Sequence, residues 1–491
     1  MSAHLPVLQV LIPLLAAPFC VVLRHRDIAW AISLITSLVC FAISLMILDQ
    51  VLTQGVISYF MGGWPAPWGI EFRIDVVNAY VLVIVSAIGA IVSLYGRHSI
   101  NKEIPRNQIY LFYTAYLLCL TGLLGMTATG DAFNLFVFLE ISSLSTYALI
   151  SLGKNRRALT ASYQYLIMGT LGATFYVIGL GLLYMMTGTL NIVDLHNKLA
   201  DVDGSLRTFQ AALAFLTVGL SLKLALFPLH LWLPNAYTYA PSTVTAFLAS
   251  TATKVAVYVM LRVFFTIFGV DLFEETGVPN IIMILAICGM FVASTVAIFQ
   301  ENLKRMLAYS SVAQIGYIML GISFLSVTGV SAGIVHLFNH AIMKCALFLA
   351  LGCVMYRVGS VKLSDMHGIA KKMPWTMGAF VVGGLSLIGV PLTVGFVSKW
   401  YLINAAMEAD MMPVAALILL SSLLALVYVW RVIEVAYFRA PKTESNIKEA
   451  PLSMLIPLWI MAGASIYFGI DTDMTLGVAE LAAEMLVGGT P

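Results

Sequence analysis

Residues 222–262 read LKLALFPLHLWLPNAYTYAPSTVTAFLASTATKVAVYVMLR. Two apolar runs meet here at a short turn, and each carries a lysine, Lys223 and Lys254, deep inside it. A helix needs ~20 apolar residues to cross the hydrocarbon core. A charge at the bilayer centre costs about 2.5–3.5 kcal/mol on insertion scales. Pro228 follows Lys223 by five residues, and a proline inside a helix removes a hydrogen bond and frees a carbonyl. Such backbone is tolerated at membrane depth where it is buried in protein or lines a wet cavity. The stretch therefore predicts two membrane spans, the first broken beside its own charge.

The same pattern recurs elsewhere in the chain. Lys399 sits in GVPLTVGFVSKWYLI (389–403), just after Gly389, Pro391 and Gly395. Lys344 sits in GIVHLFNHAIMKCALFLALG (333–352), where His336, His340 and Lys344 fall at i, i+4 and i+8 and so share one helical face. Glu140 sits in AFNLFVFLEISSLSTYALI (132–150). Ionisable residues at this depth read by default as an ion or proton path.

Composition sets the class. The chain has 491 residues, 60% hydrophobic and 10% charged, against about 25% charged in soluble domains. It reads as an all-α polytopic membrane protein with no room for a large soluble domain. The net charge of +2 points to no partner, and no basic stripe interleaved with aromatics supports nucleic-acid binding. The six cysteines (Cys20, Cys40, Cys119, Cys288, Cys345 and Cys353) lie in apolar runs without a CxxC pair, and read as small buried residues. There is no HExxH, haem, iron–sulfur, P-loop or dinucleotide motif, so no cofactor is expected. The first apolar run lacks a charged leader and a cleavage site and reads as a retained helix.

Fourteen spans are expected, near 5–23, 28–48, 74–95, 109–128, 131–152, 159–187, 209–233, 240–268, 280–299, 303–325, 330–356, 374–404, 411–437 and 451–470. The tail 471–491 is short and acidic. Loops after odd-numbered spans hold 17 lysines and arginines, whereas those after even-numbered spans hold only Arg73, Lys198 and Arg207. The positive-inside rule then places the odd loops in the cytoplasm and both termini outside, in a bacterial inner membrane. Asp75 and Asp131 read as interfacial caps and Arg262 as a snorkelling residue, while Arg431 and Glu434, one turn apart, read equally as a local pair or as part of a transport path.

Glu140 is about nine residues into span 5 and Lys223 about fifteen into span 7, both near mid-membrane at ~1.5 Å per residue. If the spans pack, the two form an ion pair; pairing favours the charged forms and burial the neutral ones. That suits a switch in which Lys223 holds its proton while Glu140 is close. A static salt bridge is the plain alternative, although buried pairs are weak evidence for stability. His230 sits seven residues after Lys223, two turns on and on roughly the same face. Lysine beside a broken helix occurs in spans 7 and 12, five spans apart, so the two sites have opposite orientation. Matching broken helices mark inverted repeats in transporters. The expected blocks are 1–108, a first five-helix repeat 109–268 (spans 4–8), a second 280–437 (spans 9–13), and 438–491.

At these residues the chain resembles the antiporter-like family shared by respiratory complex I and Mrp-type multisubunit cation/proton antiporters. The resemblance covers nearly the whole chain and is carried by NLFVFLEISSLSTYALI, LKLALFPLHLWLPNAYTYAPSTVTAFLAS, NLKRMLAYSSVAQIGY and HLFNHAIMKCALFLALG. It implies the Glu140–Lys223 pair, Lys254 as the central linking lysine, His336 and His340 as a relay, and Lys399 as the end site. Lys399 disfavours the M-type complex I subunit, which has glutamate there. The absence of a long C-terminal extension and the lysine at 254 disfavour the L-type and the large A-type Mrp subunit. TATKVAVYVMLR and GFVSKWYLI look most like the D-type Mrp subunit. Asn302 departs from the aspartate of many relatives. The implied function is the proton half of a sodium (or potassium)/proton antiporter working with other membrane subunits. The alternative is an N- or M-type proton-pumping subunit of complex I or of a membrane-bound hydrogenase. A mere scaffold would leave the mid-membrane charges without a purpose.

Overall fold

The computed structural model describes residues 4–200, 202, 206–441 and 447–488. Lys442, one of the 17 basic loop residues, and the ends of the chain lie outside the described residues. Among the described residues, twelve helices are long and apolar enough to cross a membrane. Spans 7 and 12 complete the fourteen; each is split in two at the breakers read from the sequence. The spans run Leu5–Leu23, Arg26–Gln54, Val76–Glu103, Ile109–Ala128, Ala132–Ser151, Arg157–Thr187, then span 7 as Arg207–Leu224 and Trp232–Tyr239. Span 8 comprises Ser242–Ser250, Ala252–Leu261 and a π-helical turn Arg262–Phe268. Then come Val278–Ile298, Leu303–Ser323, Val327–Val358, span 12 as Pro374–Ile388 and Val394–Glu408, Met412–Ile433 and Leu452–Ile470. Spans 6 and 11, with 31 and 32 residues, stay continuous.

Each break is closed locally, because a free peptide group in hydrocarbon costs several kcal/mol. In span 7 Ala225 takes φ 63°, Leu226 N donates to Ser221 O at 3.0 Å, and Trp232 Nε1 reaches back to Leu222 O at 2.9 Å. In span 12 Gly389 takes φ 94°, where a side chain would be strained, and its N–H donates to Leu385 O at 3.0 Å. Gly395, at the start of the second piece, lies so close to Ser386 O that a Cβ there would collide with it.

Span 8 carries a third break that sequence reading did not foresee. Thr251 (φ −125°, ψ −57°) separates its first two pieces, three residues before Lys254, with no glycine or proline present. The Thr251 hydroxyl donates to Phe247 O at 2.7 Å, a back-bond that bends helices.

The loops sort onto two faces. On one, β1 (Ile57–Phe60) and β2 (Glu71–Ile74) form an antiparallel hairpin. It is bridged to the next turn through Phe72 and Thr129, and that turn is bridged to Asn191 through Asp131. On the other, the basic loops touch one another: Asn302 bridges Lys362, Lys102 Nζ reaches the Tyr356 carbonyl, and Arg357 Nε donates to Glu449 O at 2.8 Å. Asp75 and Asp131 do cap: Asp75 accepts from Val77 N and Asn78 N at 2.9 and 3.1 Å, and Asp131 from Asn134 N at 2.7 Å. Asn302 caps span 10 through Arg305 N at 3.2 Å, doing as an amide what aspartate would do there.

Three expectations need correction. Arg262 does not snorkel; it is buried and ion-paired to Asp75 at 2.5 Å. Arg431 does not pair with Glu434; it reaches Glu301 and donates to Ile298 O at 2.6 Å, while Glu434 pairs with Arg439 at 2.9 Å. The acidic tail, to which sequence reading gave no element, holds a helix, Asp473–Val487, packed on spans 3 and 11 with Val478, Ala479, Ala482 and Ala483 buried. Cys288 is exposed rather than buried.

Gly395→Ala should overpack the two pieces of span 12, costing about 1–3 kcal/mol, whereas Gly463→Ala, with nothing within 4 Å of its would-be Cβ, should be silent. Thermal unfolding in detergent followed by size-exclusion chromatography compares them; equal midpoints would refute the close approach.

Candidate functional site

Spans 5 and 7 pack as expected through span 6, and they bring Glu140 to Lys223. The carboxylate Oε1 stands 3.7 Å from Nζ, inside ion-pair range and beyond a hydrogen bond. Lys223 instead donates to Ser143 Oγ at 2.8 Å, and Glu140 Oε1 has no hydrogen-bond partner. Lys223 is buried, while the Glu140 side chain keeps 24% exposure. The lysine is thus held by a hydrogen bond, and the glutamate oxygen facing it is not. A cavity of about 30 Å³ lined by Ser142, Ser143, Lys223 and Ala252 lies between Lys223 and span 8, with room for about one water.

Lys254 is 1% exposed. Its Nζ donates to Ala249 O at 2.5 Å, so the Thr251 break supplies the lysine with a carbonyl one turn back. His340 is fully enclosed, has no hydrogen-bond partner on either ring nitrogen, and lies within electrostatic reach of Lys254, Lys344 and His336. It stacks on His336 at 6.3 Å between ring centres.

His336 is held on both sides. Nε2 stands 2.9 Å from Gln314 Oε1 on span 10, and Nδ1 2.8 Å from Ser398 Oγ on span 12. The amide oxygen only accepts, so in this arrangement Nε2 carries the proton and Nδ1 accepts from the serine. Ser398 is the neighbour of Lys399. Lys399 Nζ reaches across the break to Leu387 O (3.1 Å) and Ile388 O (2.8 Å), donates to Ser422 Oγ at 3.0 Å, and lies 4.8 Å over the Tyr317 ring. Cations suit the carbonyl end of a helix, and here the second piece of span 12 caps the first. Lys344 points at span 10, donating to Leu307 O at 2.8 Å and Ser310 Oγ at 2.7 Å.

Seven of the eight expected residues make up a file of mostly buried side chains, in which Glu140 stands against Lys223, His340 stacks on His336, and Ser398 lies between His336 and Lys399, with Lys254 and Lys344 enclosed nearby. His230 does not continue the face of Lys223, because the helix ends at Leu224 and His230 lies in the turn beyond. It is buried there, stacked on Phe227 at 5.5 Å and edge-on to Tyr309 at 6.2 Å, with Nδ1 unpartnered. Among the described residues no carboxylate lies within ion-pair distance of Lys254, Lys344 or Lys399.

Sequence reading missed the neutral partners Ser143, Gln314, Ser310, Ser398 and Ser422. They are ordinary small polar residues, and only their depth, shared with the charges, could have marked them. It also missed Lys304. Counted as a loop residue, it is buried, with Nζ donating to Ala240 O at 3.1 Å. No group of three or more histidine, cysteine, aspartate or glutamate side chains able to hold a metal ion occurs among the described residues.

Residues 129–425 match the family described as NADH:quinone oxidoreductase/Mrp antiporter, transmembrane, an interval that contains every residue of the file. The chain is 41% identical to the N-type subunit of the NADH-quinone oxidoreductase of Desulforudis audaxviator, over 97% of each chain. It is 30% identical to the D-type subunit of the Na(+)/H(+) antiporter of Alkalihalophilus pseudofirmus, over 99% of this chain and 98% of that one. A chain of the membrane-bound sulfane sulfur reductase, an archaeal respiratory membrane complex, superposes with a TM-score of 0.91 at 32% identity, covering 99% and 98% of the two chains. The chain belongs to the NADH:quinone oxidoreductase/Mrp antiporter membrane-subunit family.

Gln314→Leu and Ser398→Ala each remove one partner of His336. Each should slow proton flux about fivefold, the rate equivalent of one hydrogen bond of ~1 kcal/mol, in vesicles holding the whole complex. Unchanged flux in both would take His336 off the path.

Proposed function

We propose that this chain is the proton-translocating subunit of a multisubunit membrane complex, and specifically the D-type member of a Mrp-type sodium (or potassium)/proton antiporter. One observation carries the proton role: a file of four buried lysines and two histidines crosses both halves of the chain with a single carboxylate, Glu140, to serve it. A structural set would be paired, since an uncompensated buried charge costs several kcal/mol. Glu140 sets the state of Lys223, Lys254 joins the halves, His340 and His336 relay, and Lys399 exchanges with the far side. The blocks 109–268 and 280–437 act as the two inverted half-channels. The membrane is a bacterial inner membrane with the hairpin face outward and the basic face in the cytoplasm. Inward proton flow then drives cation export, with the cation route shared with partner subunits. Support for the antiporter assignment comes from the D-type relatives aligned end to end, while the lysine at 399 speaks only against the M-type pump subunit.

The second reading is a pump subunit of a redox-driven complex, and the 41% identity to an N-type subunit along the whole chain favours it. The same file would then carry protons outward. Purification of the tagged chain in mild detergent separates the two: small cofactor-free membrane subunits support the antiporter, and iron–sulfur or flavin subunits support the pump. Under either, Lys223→Ala should abolish driven proton flux while the complex still assembles. Retained flux would remove the lysine from the path.

A further inference from the structure

Span 8 carries Lys254, Tyr258, Arg262 and Thr266 at four-residue spacing, a polar stripe from mid-membrane to the hairpin face. Arg262 is about 12 Å above Lys254 along the axis. Such a stripe is a ready route out for a proton on Lys254, yet its upper half is closed. Arg262 Nη2 lies 2.5 Å from both oxygens of Asp75, and Nε donates to Tyr258 OH at 3.1 Å. Tyr258 OH in turn donates to the Thr127 carbonyl at 3.1 Å. Asn78 Nδ2 donates to the same hydroxyl at 2.7 Å and to the same carbonyl at 2.5 Å. Arg262 and Asp75 are each about 5% exposed.

The chemistry of this cluster stops a proton. A guanidinium does not release one in a protein. Tyr258 receives its hydrogen bonds from Arg262 and Asn78 and spends its own proton on a backbone carbonyl, which has nothing to pass on. Asp75 accepts from the guanidinium on both oxygens and from the two amides of its helix cap on Oδ1. Below it, Lys254 leans the other way, towards Ala249 O and the basic face.

Resting on the proton path proposed above, we infer that Arg262, clamped by Asp75 and Tyr258, is the outward seal of the first half-channel. It denies Lys254 an exit along span 8 and leaves the sideways route through His340. The π-turn that begins at Arg262 is the local irregularity that seats it.

The test uses the intact complex in phosphatidylethanolamine/phosphatidylglycerol vesicles with a trapped pH dye, without exchangeable cation or redox substrate. Asp75→Asn/Arg262→Gln removes both charges and leaves none unpaired. Its passive proton leak should rise about tenfold, equivalent to 1.36 kcal/mol off the barrier, and adding Lys254→Met should return it to the wild-type rate. A double variant as tight as wild type overturns the seal, as does a leak that survives Lys254→Met. Should the double variant fail to assemble, Arg262→Lys is read instead: it keeps the ion pair but can shed a proton, so it should leak through Lys254, and a tight Arg262→Lys overturns the seal. Driven flux in Lys223→Ala vesicles reports separately on the path itself, whatever the leak does.

Discussion

An ammonium in hydrocarbon must be given acceptors, and the carbonyls of a regular helix are already bonded within it. For two of its lysines this chain supplies acceptors by breaking helices. Lys254 takes the carbonyl of Ala249 beside the Thr251 break. Lys399 takes those of Leu387 and Ile388 at the end of a helix piece that stops at Gly389. Lys223 stands on the last turn before the span 7 break and turns to Ser143. The breaks cost backbone hydrogen bonds, which the local closures at Ala225, Trp232 and Gly389 largely restore. Enclosure follows from the same need: spans 8 and 10, which hold or face the lysines, are the most deeply buried of the bundle.

Much of this was legible in the chain. Length and apolarity locate the spans, and alternation of basic loops fixes which ends share a face. Pro228 and the Gly389–Pro391 pair announce two breaks because those residues cannot do otherwise. The third break, at Thr251, is silent in sequence because a hydroxyl back-bond leaves no breaker residue behind. Arg262 and Arg431 were misread for a related reason. Near a span end, snorkelling and local pairing are the default for arginine, but Asp75 lies 187 positions away and Glu301 130, and no local pattern reveals a partner at that distance. His230 failed because a face was counted through a helix that had already ended.

The relay is asymmetric in the same physical terms. The first half-channel owns the sole carboxylate, and it is held loosely: Glu140 is 3.7 Å from Lys223 and lacks any hydrogen bond on that oxygen. Lys223 has a second acceptor in Ser143, so Glu140 can leave without stranding the lysine. The second half is held tightly and neutrally. Each ring nitrogen of His336 has its own partner, and Lys344 and Lys399 are fixed to carbonyls and hydroxyls.

A file with one mobile negative charge and several fixed basic groups can be driven only from the end that carries that charge. When Glu140 approaches, a positive charge on Lys223 is favoured. When it leaves, the nearest way to lower the energy is to move that charge along the file, and like-charge repulsion between neighbouring basic groups passes the displacement on. His340 is the natural junction. It is the one histidine of the file with neither nitrogen engaged, and it stacks on His336. A proton arriving there is stabilised by no fixed partner, and it moves on to His336 or back to Lys254 according to which lysine is charged. On the proposed path, direction therefore comes from the placement of a single carboxylate, and the lysines and histidines beyond it carry the displacement.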